Sequence, residues 1–297
     1  MNRHAYLIIA HNEPRLLRAL LQTLDVEWND IYLHVDFYSP SLFDEAKTIR
    51  LQKARLNVLP NPMGVFWGHT SLLEVEVLLL REALKHGPYQ YYHMLSGQDF
   101  PIKSAEYIRR FFDQHQGREF VGFWNDASHC RDAFRKVRYY YFFNRWKKRS
   151  SSKLLHAVTS PLRNLTLNIQ KVLGVNRQRG RDVEIKKGFN WFSITEDCCR
   201  YVLEHEEDIH RLFHHTLCPD EIFLQTIVWN SPFRERLFDV DDVQHGSMRA
   251  IDWQRGDPYV WKSDDVEYLL NSPYLFARKF SSADMEAVRL MVSRIME

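Results

Sequence analysis

No glycine-rich phosphate loop occurs in this 297-residue chain: it has neither Gly-x-Gly-x-x-Gly nor a Walker motif. The common glycine-loop nucleotide folds are thereby excluded. No Cys-x-x-Cys and no zinc-like cysteine spacing is present either. The four cysteines, Cys130, Cys198, Cys199 and Cys218, read as free thiols in a reducing cytosol. No apolar run approaches the about 20 residues that a membrane-spanning helix needs. The N-terminal MNRHAYLIIAHNEP lacks a small-residue cleavage site and reads as a first strand, not a signal peptide. Charge of one sign is not in excess: 40 Lys and Arg face 38 Asp and Glu, a net charge of +2, so nothing global argues for a nucleic-acid partner. There is no internal repeat and no low-complexity tract.

What is present is apolar material, 45% hydrophobic and 14% aromatic, enough for one large α/β domain or two small ones. Strands are predicted at 5–10, 31–35, 57–59, 91–95, 119–123, 189–194 and near 248–253. Helices are predicted at 13–24, 71–85, 105–114, 196–206, 220–228 and 264–270, with a last helix at the C-terminus. Asn12 is expected to cap the first helix and Pro14 to occupy its first turn. Strand and helix alternate, so the expected fold is α/β: a mostly parallel, Rossmann-like sheet with helices on both faces. Residues 126–186 interrupt the alternation and read as a basic, aromatic insertion or arm within a single domain spanning 1–297.

Polar residues collect at the strand ends: His11-Asn12, Asp36 and Ser96-Gly97-Gln98-Asp99. Open α/β sheets bind their ligands at that edge. Pro101 prevents the 91–95 strand from continuing, which leaves Asp99 at its carboxyl end. Cys218-Pro219-Asp220-Glu221 precedes an apolar helix. Its acids are either a cap favoured by the helix dipole or the source of a general base. Arg278-Lys279 lies between Phe276 and Phe280 and is either a surface pair or a diphosphate clamp, which Arg249 and Arg255 can join. The block 131–149, RDAFRKVRYYYFFNRWKKR, suits a solvated face, an anionic surface or a charged glycan better than nucleic acid. His69, His93, His115 and His214-His215 have no metal-binding pattern.

AYLIIAHNEP, IYLHVD, FWGHTSLLE, YYHMLSGQDFPIKS, KGFNWFSIT, CPDEIFLQTIVWNSP and LFARKF occur in that order. Together they resemble the core-2/I-branching enzymes and peptide O-xylosyltransferases, the inverting transferases of glycosyltransferase family 14. The resemblance runs nearly end to end and implies a GT-A glycosyltransferase fold. It implies a UDP-sugar donor, with GlcNAc or xylose as the sugar, and a hydroxyl acceptor on a glycan or glycoconjugate. It also implies no cofactor and no divalent metal: at Gly97-Gln98-Asp99 this chain has no Asp-x-Asp to hold one.

Carried over by position, Glu221 matches the catalytic base, and Lys279 with Arg278 the basic pair on the diphosphate. Asp36 matches the carboxylate near the uridine. Ala10 and His11 match the first-strand loop beneath the nucleotide, and Asn190-Trp191 a pair flanking the donor. The second diphosphate contact falls near Arg255, with Arg249 as the other candidate. The acceptor contacts of the branching enzymes fall near Ala250 and Asp252, where the aromatic pair is missing. The absence of the large cysteine set of the animal enzymes and of an anchor implies a bacterial-type, cytoplasmic version. Such an enzyme is expected to serve surface polysaccharide synthesis on lipid-linked oligosaccharide acceptors, with peripheral membrane contact through 131–149. A sugar-nucleotide or glycan binding protein without turnover is the alternative.

Overall fold

The structure is a computed structural model that describes residues 2–142, 144 and 153–296, the side chains of 153–158 excepted. In chain order its first half runs β1 (His4–Ala10), α1 (Pro14–Thr23), β2 (Asn29–Val35), α2 (Pro40–Thr48), β3 (Arg55–Val58), α3 (Thr70–Leu84), β4 (Tyr91–Ser96), β5 (Asp99–Pro101), α4 (Ala105–Gln114), β6 (Phe120–Val121) and α5 (Ala127–Arg138). The second half runs α6 (Lys153–Val172), β7 (Phe192–Thr195), α7 (Glu196–Glu204), α8 (Glu206–Phe213), α9 (Phe223–Trp229), α10 (Val243–Ser247), β8 (Arg249–Ile251), α11 (Val266–Asn271), β9 (Phe276–Arg278) and α12 (Met285–Met296).

The main sheet has the order β3-β2-β1-β4-β7-β6. Its first four strands are parallel, and β7 and β6 are antiparallel additions. Side chains alternate between the two faces of a strand. Tyr6, Ile8 and Ala10 of β1 therefore join one core, with Leu16, Leu17, Leu20 and Leu21 of α1. Ala5 and Leu7 join the other, with Leu73, Leu79 and Leu80 of α3. Both faces of the central strands are buried, so the expected α/β sheet with helices on both sides is the fold found.

Several local expectations give way. Pro14 does open α1, but Glu13, in a left-handed conformation (φ 58°), takes the cap position without capping, and Asn12 does not cap it. The Glu13 carboxylate instead accepts hydrogen bonds from Ser281 Oγ (3.0 Å) and the Ser282 amide (3.1 Å), tying the first strand-end loop to the C-terminal region. The chain does not leave sheet structure at Pro101. Asp99–Pro101 forms the edge of a second sheet, β5-β9-β8, and an edge strand tolerates a residue with no N–H. The strand predicted at 189–194 starts only at Phe192, which leaves Phe189, Asn190 and Trp191 in the loop that enters it.

The helix predicted at 220–228 breaks. Pro219–Glu221 is a 3-10 turn, Ile222 is a non-helical hinge (φ −130°), and α9 follows. Within the region read as an insertion, α5 packs Ala133 and Val137 into the second core. Phe143 and residues 145–152, which take in 143 and 145–149 of the basic block, lie outside the described residues.

Candidate active site

The parallel strands β1, β2 and β4 end side by side at Ala10, Val35 and Ser96. Three things hold this edge. The Asp36 amide donates to the Ala10 carbonyl (2.8 Å), and the Gly97 amide donates to the Ile9 carbonyl (2.9 Å). Gly97 also packs so close that a Cβ there would stand 3.1 Å from the Ala10 Cβ, tighter than an ordinary contact. Above the edge opens a cavity of about 410 Å³. Its wall contains His11, Asp36, Glu76, Asn190, Trp191 and Arg278 among apolar neighbours such as Ile9, Leu72 and Met94.

Six of the residues singled out in the sequence thus meet around one space: His11, Asp36, Ser96, Asn190, Trp191 and Arg278. Asp36 is buried, and its Oδ1 accepts from the Tyr38 amide (3.1 Å). Arg278 reaches the cavity from β9. Its guanidinium lies 4.5 Å from the centre of the Trp191 ring, and Nη1 donates to Asp99 Oδ1 (2.7 Å) and to Ser96 Oγ. Asp99 is buried and faces its partner, not the ligand edge: it is the residue that orients Arg278.

Ala10 supports the edge from below and is not itself in the wall. Lys279 lies just beyond β9, its backbone bonded to Tyr259 and Trp261, and its side chain has no ion-pair partner among the described residues. Arg249 and Arg255 are not brought to this cavity. Arg249 is fully buried beneath the sheet, bonded to the carbonyls of Ser247 (2.8 Å) and Phe192 (3.0 Å) and to Ser193 Oγ (3.1 Å). Burial lowers its pKa to about 9. Arg255 is held by Asp252 (2.5 Å) and Asp265 (2.9 Å) and lines a different cavity.

That second cavity, about 690 Å³, carries Trp124, Trp253, Trp261 and the acids Asp126, Asp242 and Asp252. Ala250 and Asp252 line it as well. Phe189 bridges the two spaces: its ring lies 5.5 Å from Trp124, 6.4 Å from Trp253 and 6.1 Å from Trp191. The chain's Asp-x-Asp, Asp239-Val240-Asp241, stands apart from the Asp36 cavity. Asp239 is engaged with His245 Nδ1 (2.7 Å) and with the amides of Asp241 and Asp242. Among the described residues no group of three or more His, Cys, Asp or Glu is placed to hold a metal ion.

Glu221 sits at the end of its 3-10 turn, its carbonyl accepting from the Gly188 amide (2.9 Å), two residues before Asn190. Its carboxylate lies 3.3 Å from Lys187 Nζ and 3.5 Å from Lys136 Nζ. Both ammoniums also reach Asp132 Oδ2, at 3.0 and 2.9 Å. Burial would lower the Lys136 pKa, but Glu221, Cys218 and Asp132 more than reverse it, so this lysine stays a cation. Asp132 moves the other way: burial would raise its pKa, and its bonds to Lys136 and then Lys187 hold it well below the usual carboxylate range.

The sequence reading missed Lys136, Lys187 and Asp132. Two of the three lie inside the basic block, where Lys136 passes for surface charge, yet α5 turns it inward. Glu76 was missed as well. It is fully buried in the middle of α3, and burial, followed by the nearby Asp220 charge, raises its pKa well above the carboxylate range against the opposing pull of Asn190. The signal was available: Glu76 shares a helical face with Leu72, Leu73, Leu79 and Leu80.

Known proteins resemble this chain over most of its length. Xylosyltransferase 2 of Canis lupus familiaris is 26% identical over 299 residues, covering 94% of this chain and 32% of that protein. Xylosyltransferase sqv-6 of Caenorhabditis briggsae is 23% identical, covering 92% and 34%. The chain therefore spans about a third of the length of these relatives. The apo crystal structure of mouse xyloside xylosyltransferase 1 aligns over 93% of this chain and 97% of its own, at 11% identity and a TM-score of 0.42, a likeness too weak to argue from. The sequence model of the core-2/I-branching enzymes matches residues 4–268, and the chain belongs to that family.

Proposed function

We propose that this protein is an inverting glycosyltransferase that moves a sugar from a UDP-sugar to a hydroxyl of a glycan or glycoconjugate, without a divalent metal. The observation that carries the reading is the convergence of His11, Asp36, Asn190, Trp191 and Arg278 on one cavity at the carboxyl edge of the parallel strands. Membership in the family supports it. Uridine lies against the β1 and β2 loops near Asp36. The diphosphate meets Arg278 and Lys279, whose charges stabilise the leaving group. The acceptor enters over the Phe189 ridge from the tryptophan-lined cavity, where apolar ring faces and acids suit a sugar. Its hydroxyl oxygen attacks the anomeric carbon, the bond from that carbon to the diphosphate oxygen breaks, Glu221 takes the hydroxyl proton, and UDP departs.

The experiment is UDP release from UDP-GlcNAc, UDP-xylose and related donors with a mixed glycan acceptor panel, with and without EDTA. Release is expected with one donor class and is expected to persist in EDTA. A protein that binds donor but never releases UDP is the binding-protein alternative, and a manganese-reversible loss in EDTA defeats the metal-free reading.

Peripheral contact with a membrane surface gains support from α6. Among the described residues no helix is long and apolar enough to cross a membrane. However, Leu162, Leu165, Ile169 and Val172 share one exposed face of α6, with exposed Leu173 beyond it. Gln170 bonds this helix to the backbone of Tyr140 in the basic block (2.7 and 2.9 Å). An apolar stripe beside cations fits an anionic lipid surface. Co-sedimentation with phosphatidylglycerol vesicles is expected, and Leu165→Asp with Ile169→Asp is expected to abolish it. Equal recovery with neutral vesicles, or self-association in their place, removes the membrane contact.

A further inference from the structure

A carboxyl group inside an apolar helix face is costly unless something bonds to it. Glu76 has no such partner. It is 0% exposed, and neither of its oxygens makes a hydrogen bond of ordinary geometry. The Asn190 amide is close enough to influence it, and Asp220, whose Oδ1 is likewise unpartnered, adds a second buried acid. The cations of the site are committed elsewhere: Lys136 and Lys187 to Asp132 and Glu221, Arg278 to Asp99. Yet Glu76 belongs to the wall of the Asp36 cavity, with its two unpartnered oxygens closed off from solvent.

The position within the cavity identifies what fills the gap. Asp36, on the β2 loop, marks one part of the wall. Glu76 lies instead beside Asp220 and so next to Glu221, the group assigned to deprotonate the acceptor. A ligand group at that point is the one being transferred. Of the parts of a nucleotide sugar, the sugar ring offers neutral hydroxyl donors in adjacent pairs, which two oxygens of one carboxyl group can engage together. We propose that Glu76 reads the hydroxyls of the transferred sugar and thereby sets donor specificity. This rests on the UDP-sugar reading above and refines it: nucleotide affinity comes from the strand-edge loops and the cations, sugar choice from Glu76 with Asn190.

The experiment uses the full chain as parent, Glu76→Gln and Glu76→Leu, with calorimetric Kd values for UDP, for the UDP-sugars named above and for deoxy analogues of the best one. The parent is expected to bind its donor more tightly than UDP and to reject the deoxy analogue that lacks the read hydroxyl. Both variants are expected to bind UDP within about two-fold of the parent and to lose about 10- to 100-fold in donor affinity, with discrimination against the deoxy analogue gone, because a site built to bond a hydroxyl loses its selectivity with its partner. Removing a carboxyl kept unpartnered for a ligand also stabilises the free protein, so Glu76→Leu is expected to melt above the parent.

Unchanged donor affinity and discrimination in both variants overturn the role of Glu76 while leaving the transferase reading intact. Equal losses for UDP and donor mean a structural role and overturn it as well. A parent that binds no UDP-sugar overturns the donor reading and this inference with it.

Discussion

Glu221→Gln is expected to cut the turnover of sugar transfer by about 10²–10⁴-fold, the range for loss of a general base, while donor affinity and Tm stay near parent values. Two acids compete for the role. Asp220 is buried, and burial together with the neighbouring Glu221 charge raises its pKa to about 7. It loses to Glu221 on access and not on basicity, because its Oδ1 is closed off from solvent. The Glu221 side chain is 34% exposed and within reach of an acceptor. The fold tolerates the change because Asp132 stays between Lys136 and Lys187 and leaves neither ammonium unpaired. The glutamine keeps the shape, lacks the basicity, and disturbs little else. Steady-state kinetics at saturating donor, with Tm measured alongside, test this. Transfer at the parent rate places the base elsewhere, and a large fall in Tm means the lysine cluster had been held together by Glu221.

The first four strands were legible because their apolar runs are continuous, as they must be when both faces are covered. His11 and Asp36 followed directly, since residues at strand ends need only the strand to be placed. Asn190 and Trp191 were named through resemblance. The strand predicted over them would have sent alternate side chains to opposite faces, and their loop position brings both to the cavity. What sequence order could not supply is partnership across distance. Asp99 and Arg278 are 179 positions apart and meet only because β5 and β9 pair. Lys136 and Lys187 reach Glu221 from two separate elements. The strand expected near 248–253 contains β8, but three residues are too few for alternation to say which way Arg249 faces, and Arg255 lies beyond it in a loop, so burial had to separate the two. Glu76 was readable and passed over: a charge on a leucine face argues against solvent exposure.

Lys279→Ala is expected to weaken UDP binding by about 10- to 100-fold, the loss of one or more charge-assisted hydrogen bonds to phosphate, and to flatten the salt dependence of binding. Arg278 and Lys279 are neighbours in sequence but not equivalent. The Arg278 charge is already faced by Asp99 at 2.7 Å, with Trp191 against its plane. Lys279 forms no ion pair among the described residues, and its backbone is fixed by the Tyr259 carbonyl (3.4 Å) and the Trp261 amide (3.0 Å). An ammonium with no ion pair among the described residues, on a pinned backbone next to the cavity-lining Arg278, leaves its charge for an incoming anion although Lys279 is not itself in the cavity wall.

Removing Arg278 instead strands Asp99 in the interior, so that substitution mixes binding with stability. Asp99→Asn separates the two. It is expected to lower Tm, since a bond to a charged group contributes about 1.5–3 kcal/mol, and to weaken UDP binding less than Lys279→Ala does. Calorimetry on the three proteins decides: unchanged affinity in Lys279→Ala removes that lysine from the clamp, and a larger binding loss in Asp99→Asn transfers the role to Arg278 as Asp99 positions it.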